Sequence, residues 1–320
     1  MRYTKPLRIT LLIVTILAAL GVAGVVGLSA VLSPASIGLG LVLVSIYLIA
    51  FYFLISRSGF APNAGFAWVF SSFAWGSAVC FGLATFVGTA VSEVTSKLGW
   101  DIVAASFGGA YPEEIAKTLG VILVMAAFTQ LNRPWHGFAT GIIVGLGFDT
   151  IENLLYGQMG GLIHPDSDIE GTLMMWGLRS IAGPGLHILF TGIAGYGIGL
   201  AMTSIGISFA QRLKYGATWF AIAFVLHFAW NLQIPTEVIL IGIYIIVGLI
   251  GYPLFIYLWL QCRKAARADR DQPQTPISSL SELNELVPLD HSREQPRLFG
   301  EKPFVTPIAY VGLTAEEPRD

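Results

Sequence analysis

Residues 238–261, VILIGIYIIVGLIGYPLFIYLWLQ, form a run of 24 residues without a charged side chain. A helix needs about 20 predominantly apolar residues to cross a bilayer core that is about 30 Å thick. This run is therefore long enough to span a membrane. Arg263, Lys264 and Arg267 follow it at once, as expected where a helix leaves the bilayer on the cytoplasmic side.

The same apolar character extends along most of the chain. Of its 320 residues, 54% are hydrophobic and 12% are charged, and the mean hydropathy is +0.69. A typical soluble domain is about 25% charged. This composition excludes a soluble enzyme, a secreted disulfide-rich domain and a nucleic-acid-binding protein, because so little polar surface cannot cover a globule in water. The sequence predicts an all-α, polytopic membrane protein in contact with the lipid bilayer.

Seven further segments approach the length of a span. The eight predicted segments are residues 9–32, 35–56, 67–91, 112–130, 137–157, 181–203, 215–233 and 238–261. With the N-terminus inside, the cytoplasmic segments hold eleven Lys and Arg residues, and the outer loops hold Lys97 and Arg179 alone. Short cytoplasmic loops carry such an excess of positive charge. About eight transmembrane helices are expected, with both termini in the cytoplasm.

The composition changes abruptly after Gln261. Of the 38 charged residues, 18 lie beyond this position. The sequence therefore predicts a transmembrane domain at residues 1–261 and a cytoplasmic tail at 262–320. The tail is polar and contains several prolines, so it is expected to be mostly disordered.

Ionisable side chains are concentrated in the fourth to seventh segments. Each such group costs about 2.5–3.5 kcal/mol in the bilayer on insertion scales, so each needs an explanation. At 1.5 Å per residue, all of them fall in the outer half of the bilayer. We therefore expect one shared pocket there. The residues concerned are Tyr111-Pro-Glu-Glu-Ile-Ala-Lys117, Gly147-Phe-Asp-Thr-Ile-Glu-Asn153, Arg179 at the mouth of the sixth segment, His187, and His227-Phe-Ala-Trp-Asn231.

This set of residues permits more than one chemistry. Two histidines with two or three carboxylates can hold one divalent ion, and zinc is the usual choice for such donors. The same groups can perform general acid–base catalysis without a metal. Acid and imidazole groups in membrane helices also serve as ion relays, so a proton- or cation-coupled transporter is the alternative function. A non-catalytic scaffold, whose tail recruits partners, is a third.

Several intramembrane protease types do not match the sequence. None of the five histidines is followed by Glu, so the His-Glu-x-x-His pattern of zinc proteases is absent. No Gly-x-Ser-Gly precedes a histidine in a predicted helix, which argues against a rhomboid-type serine protease. Gly145-Leu-Gly-Phe-Asp149 is close to the Gly-x-Gly-Asp motif of aspartyl intramembrane proteases, but the partner Tyr-Asp is missing.

Four motifs, in order, resemble the PrsW intramembrane proteases, which are relatives of the CAAX-processing glutamate proteases. The resemblance covers about residues 110–235. One departure is Asp149, which stands where a small residue is expected and adds a fourth intramembrane acid. The matching motifs are Pro112-Glu113-Glu114-x-x-Lys117, Gly145-Leu-Gly-Phe148 leading to Glu152-Asn153, Arg179 followed by His187, and His227-x-x-Trp230-Asn231.

The resemblance implies a peptidase that cuts a membrane-bound protein near the extracytoplasmic side. Its implied substrate is a single-span anti-sigma factor, and its implied location is the bacterial plasma membrane. In this resemblance Glu114 is the base that deprotonates water, Glu113 is its acidic neighbour, and Lys117 balances their charge.

The resemblance also assigns roles to the residues on the other three helices. His187, His227 and Glu152 either bind one divalent metal, zinc before others, or position the water without a metal. Asn153 and Asn231 are expected to stabilise the oxyanion or to support the residues that do.

Overall fold

A computed structural model describes the backbone of residues 4–271 and the side chains of residues 5–269. Every regular element in this range is helical, which confirms the all-α fold. A π-helical turn at Trp75–Cys80 joins α3 to α4. The helices are α1 (Thr4–Leu32), α2 (Pro34–Ser56), α3 (Phe66–Ala74), α4 (Phe81–Lys97), α5 (Asp101–Gly108), α6 (Ala110–Ala127), α7 (Pro134–Ile163), α8 (Asp168–Ala182), α9 (Leu186–Thr203), α10 (Phe209–Trp230) and α11 (Glu237–Asp271).

Six helical stretches in the described range are long and apolar enough to cross a membrane. They are Lys5–Leu32, Pro34–Ser56, Phe66–Lys97, Pro134–Ile163, Asp168–Thr203 and Glu237–Asp269. The fourth and seventh predicted segments are also helical, as α6 and α10. Both helices carry several polar and charged side chains, and α6 contains Glu113, Glu114 and Lys117. Length and composition alone therefore identify six spans of the expected eight.

The sixth predicted segment, residues 181–203, is interrupted in the structure. Helix α8 ends at Ala182 and α9 begins at Leu186. Pro184 lacks the backbone N–H that a continuous helix needs, and Gly185 adopts a left-handed conformation with φ of 67°. His187 consequently lies in the first turn of α9 and not well inside a longer helix, and Arg179 lies in the last turn of α8.

Helix α11 continues to Asp271, beyond the predicted boundary at Gln261. Its last turns pack against the start of α7, where the Nε1 of Trp135 donates to Oδ2 of Asp269 at 2.6 Å. Nε of Arg133 lies 3.6 Å from the same oxygen. These contacts explain why the helix extends into the region expected to be a disordered tail. Residues 272–320, the remainder of that tail, lie outside the described range.

Helix α7 is the centre of the bundle and is buried over most of its length. It packs closely against α9, because glycines on both helices let their backbones approach. A Cβ atom added at Gly145 would overlap the backbone carbonyl of His187, and one at Gly141 would overlap that of Thr191. This close packing places His187 beside the part of α7 that carries Glu152.

Candidate active site

Helix α6 contributes two carboxylates and one ammonium group to the site. The Nζ atom of Lys117 lies 2.8 Å from Oε2 of Glu113 and 3.1 Å from Oε1 of Glu114. It also lies 2.9 Å from Nδ1 of His187 and 4.0 Å from the centre of the Phe148 ring. The i+3 and i+4 spacing predicts this pairing within one helix face. Lys117 is fully buried, so its charge balances the two glutamates with little screening by solvent.

Helix α10 contributes His227, which meets the same cluster from the opposite side. Its Nδ1 lies 2.8 Å from Oε1 of Glu114. Its Nε2 lies 3.4 Å from Nδ2 of Asn231, one turn further along the chain. The ring of Phe190 stacks on the imidazole with 5.0 Å between the ring centres. His227 is therefore fixed on both nitrogens and on one face.

Helices α7, α8 and α9 meet at Glu152. Its Oε2 lies 2.5 Å from Nε2 of His187 and 2.6 Å from Nη2 of Arg179. The Nε of Arg179 donates a hydrogen bond to Oδ1 of Asn153. The structure thus brings the third motif, Arg179 and His187, onto the glutamate and asparagine of the second.

Two further residues complete this side of the cluster. The hydroxyl of Tyr47, on α2, donates to Oδ2 of Asp149, and Nδ2 of Asn153 lies 3.4 Å from the same oxygen. Asp149 is buried, with 3% of its surface exposed. Sequence reasoning missed Tyr47, because no pattern distinguishes it from Tyr52, which lies on the same apolar helix with 68% of its surface exposed.

These side chains surround a cavity of about 1160 Å³. The charged and imidazole groups of the wall come from α6, α7, α8, α9 and the C-terminal end of α10. Helix α4 adds Thr85, Thr89 and Ser92 beside apolar residues, and α11 adds Leu240 and Tyr244. Glu114 and Lys117 are fully buried behind this wall. The polar wall residues include Glu113, Asp149, Glu152, Arg179, His187, His227 and Asn231.

The structure brings together Glu114, Glu152, His187 and His227, one from each of the four segments that were expected to share a pocket. Glu114 contacts His227, and Glu152 contacts His187. The two imidazole ring centres are 5.2 Å apart. The cluster is accordingly continuous from α6 and α10 through α9 to α7.

Within the described residues, two sets of donors lie close enough to share a metal ion. In each set, one donor atom from every residue lies within 4.8 Å of the others. Imidazole and carboxylate donors suit zinc and similar divalent ions. One set is Glu113, Glu114, His187 and His227, and the other is Asp149, Glu152 and His187.

The first set fits a divalent metal chemically. Oε2 of Glu114 is buried and has no hydrogen-bond partner among the side chains that the structure describes. A buried carboxylate oxygen of this kind is costly unless it is paired or coordinates a metal. Such an ion would lie close to the ammonium of Lys117. Both nitrogens of His187 and both nitrogens of His227 contact protein groups, so binding through either residue requires one contact to be exchanged.

The structure does not group the three expected metal ligands. Glu152 belongs to the set with Asp149 and His187, whereas His227 belongs to the set with both glutamates of α6. The side chain of Glu152 is instead engaged by His187 and Arg179. Glu114 is therefore better placed than Glu152 to share an ion with the two histidines.

Comparison with known protein families identifies a match over most of the membrane domain. The model of the family described as PrsW family intramembrane metalloprotease matches residues 64–258. No curated protein and no solved structure matches the chain.

Proposed function

This chain belongs to the PrsW family of intramembrane metalloproteases and is therefore a peptidase that acts on membrane proteins, and we propose that it cuts a single-span membrane protein near the extracytoplasmic side. An anti-sigma factor is the proposed substrate, and a bacterial plasma membrane is the proposed location. The observation that supports this most strongly is the cavity onto which Glu113, His187 and His227 face from three different helices. Acid and imidazole groups around a cavity are the requirements for activating water against a peptide bond.

We propose Glu113, and not the expected Glu114, as the general base. Glu113 lines the cavity, where a water molecule and a peptide bond could reach it. Neither a water molecule in the cavity nor a peptide bond could reach Glu114, because its side chain has no accessible surface. A base must lie within hydrogen-bond reach of the proton that it removes, so the cavity-facing glutamate suits this role. The Nζ of Lys117 donates to Oε2 of Glu113 at 2.8 Å and so fixes the direction of this carboxylate.

Glu114, His187 and His227 are the proposed ligands of a metal, for which zinc is our choice. When bound, such an ion polarises a carbonyl and lowers the pKa of bound water. The contact between Glu114 and His227 orients both side chains. Glu152 holds His187 from its other side, as outer carboxylates commonly do for ligating histidines.

The two asparagines are proposed to have different roles. Asn231 lines the cavity, so its amide N–H groups can donate to an oxyanion that forms on the substrate carbonyl. Asn153 contacts Arg179 and Asp149. We therefore propose that Asn153 supports the site and does not touch the substrate.

For the topology we propose eight spans with both termini in the cytoplasm. In this arrangement α6 and α10 cross the membrane, and Glu113 of α6 and His227 of α10 face the cavity. Glu152 then lies about 27 Å along α7 from Pro134, since a helix rises about 1.5 Å per residue. This depth supports cleavage in the outer half of the bilayer. The excess of Lys and Arg in the inner loops supports the orientation on which this depth depends.

Proteoliposomes that contain the purified protein and a labelled single-span membrane protein test the proposed function. We expect wild-type protein to release two fragments and to carry no proton or cation current across the vesicle membrane. The ratio of cleaved to uncleaved substrate on a gel measures proteolysis. A pH-sensitive dye inside the vesicles measures proton transport. Ion flux without a cleaved product would favour the transporter and contradict the protease.

Metal content gives a separate prediction. The purified protein is expected to hold close to one zinc ion per chain, and His227→Ala is expected to lose it, because one of three ligands is removed. Elemental analysis after gel filtration measures the metal. His164→Ala is the matched control, since His164 lies outside the cluster and its Nδ1 accepts from the backbone of Asp166 and Ser167. A fully active protein without metal would contradict the zinc proposal and leave the glutamate mechanism.

A further inference from the structure

A continuous chain of polar contacts leads from α2 to the imidazole of His187. We propose that Tyr47 and Asp149, which lie at its far end, are positioning residues that hold His187 in its working orientation. This inference rests on the proposed function. We name the contacts the Tyr47 chain, and its members in order are Tyr47, Asp149, Asn153, Arg179, Glu152 and His187.

The amide of Asn153 carries the connection between the two ends. Its Oδ1 accepts from Arg179, which can only donate, and its Nδ2 faces Asp149, which as a carboxylate can only accept. Each neighbour therefore requires the same orientation of the amide. Without Asp149 one of these constraints would be lost, and the amide could turn over.

Arg179 transmits this orientation to the active site. Its Nε and Nη2 lie on one edge of a planar guanidinium group and engage Asn153 and Glu152 together. A planar group that is held at two points has little freedom to rotate. Glu152 in turn places Oε2 at 2.5 Å from Nε2 of His187. The direction of the imidazole thus depends on contacts that begin at Asp149.

Tyr47 holds the carboxylate of Asp149. The ring of Tyr47 packs against Phe51, with ring centres 4.8 Å apart, and against Trp176 of α8 at 6.4 Å. These contacts restrict the ring, so its hydroxyl points steadily at Asp149. Burying a fourth carboxylate beside Glu152 is costly unless the group is hydrogen-bonded. The hydroxyl of Tyr47 supplies such a hydrogen bond to the carboxylate that faces Asn153.

The test compares cleavage kinetics of Tyr47→Phe and Asp149→Asn with those of wild type in proteoliposomes. Loss of the hydroxyl is expected to lower kcat about tenfold and to leave KM unchanged, which corresponds to the weakening of one positioning contact. Tyr52→Phe is the matched control, because it removes a hydroxyl from the lipid-exposed part of the same helix. It is expected to retain wild-type kcat.

A second background separates positioning from a general loss of stability. In Arg179→Lys the ion pair with Glu152 can persist. The Nε donor of the arginine, which bonds to Oδ1 of Asn153 in the wild type, is lost. Adding Tyr47→Phe to this variant is expected to lower kcat no further, since the chain is already interrupted. Wild-type kcat in Tyr47→Phe, or a full further tenfold loss in the double variant, would overturn the inference. Failure of the proposed function is distinct, because wild type itself would then show no cleavage.

Discussion

A Glu113→Gln variant is expected to lose about a thousandfold in kcat. A positioned general base contributes about 10²–10⁴ to the rate, and an amide cannot take the proton from water. Glutamine has the same shape as glutamate, and its carbonyl oxygen can still accept from Lys117, 2.8 Å away in the wild type. The variant should therefore fold and insert normally, so the loss would arise in the chemical step. Cleavage of a labelled single-span substrate measures it.

Metal content distinguishes the two neighbouring glutamates. If Glu114 is a metal ligand, Glu114→Gln loses both activity and zinc, whereas Glu113→Gln loses activity and keeps zinc. Glu93→Gln is the control, because Glu93 lies at the protein surface in an ion pair with Lys97. An active Glu113→Gln enzyme beside an inactive Glu114→Gln enzyme that still holds zinc would contradict our assignment. That result would restore Glu114 as the base.

The position of each glutamate illustrates where sequence reasoning ends. Ionisable groups in apolar segments are costly, so the sequence alone predicts that residues of α6, α7, α9 and α10 must converge. Which of two adjacent residues faces the cavity depends on how α6 is rotated. Neighbours on a helix differ by about 100° in direction. Packing against α9 and α10 determines this rotation of α6, and the sequence motifs do not predict it.

The limits of the fold prediction have a similar origin. Apolar length predicts the long helices, and each of the eight expected segments overlaps helices of the structure, although the sixth is interrupted between α8 and α9. The short α5 and the amphipathic α8 were missed, because neither has a run of apolar residues that exceeds its surroundings. The contact between Tyr47 and Asp149 joins residues 102 positions apart. A hydrogen bond over such a separation follows from the assembled bundle and not from local sequence.

Replacing Lys117 by Met is expected to destabilise the fold more than any other single change in the cluster. Lys117 is fully buried and is paired with Glu113 and Glu114. Methionine is similar in length but leaves two adjacent carboxylates without their shared cation. Removal of one partner from a buried ion pair costs about 3–5 kcal/mol, because the remaining charge is neither paired nor hydrated. Thermal unfolding in detergent measures the loss of stability, with the fraction of protein that stays monodisperse as the readout.

Two matched changes identify the cause of that loss. Lys97→Met removes an ammonium that is 72% exposed and is paired at 2.6 Å with Glu93, and it should change stability little, because exposed ion pairs contribute about 0–1 kcal/mol. Glu114→Gln, added to Lys117→Met, removes one of the two unpaired carboxylates and should recover part of the lost stability. A Lys117→Met protein as stable as wild type, or a double variant weaker than Lys117→Met, would show that the ammonium does not balance the buried acids. The histidines of α9 and α10 would then hold the cluster together, since His187 contacts Glu113 and His227 contacts both glutamates.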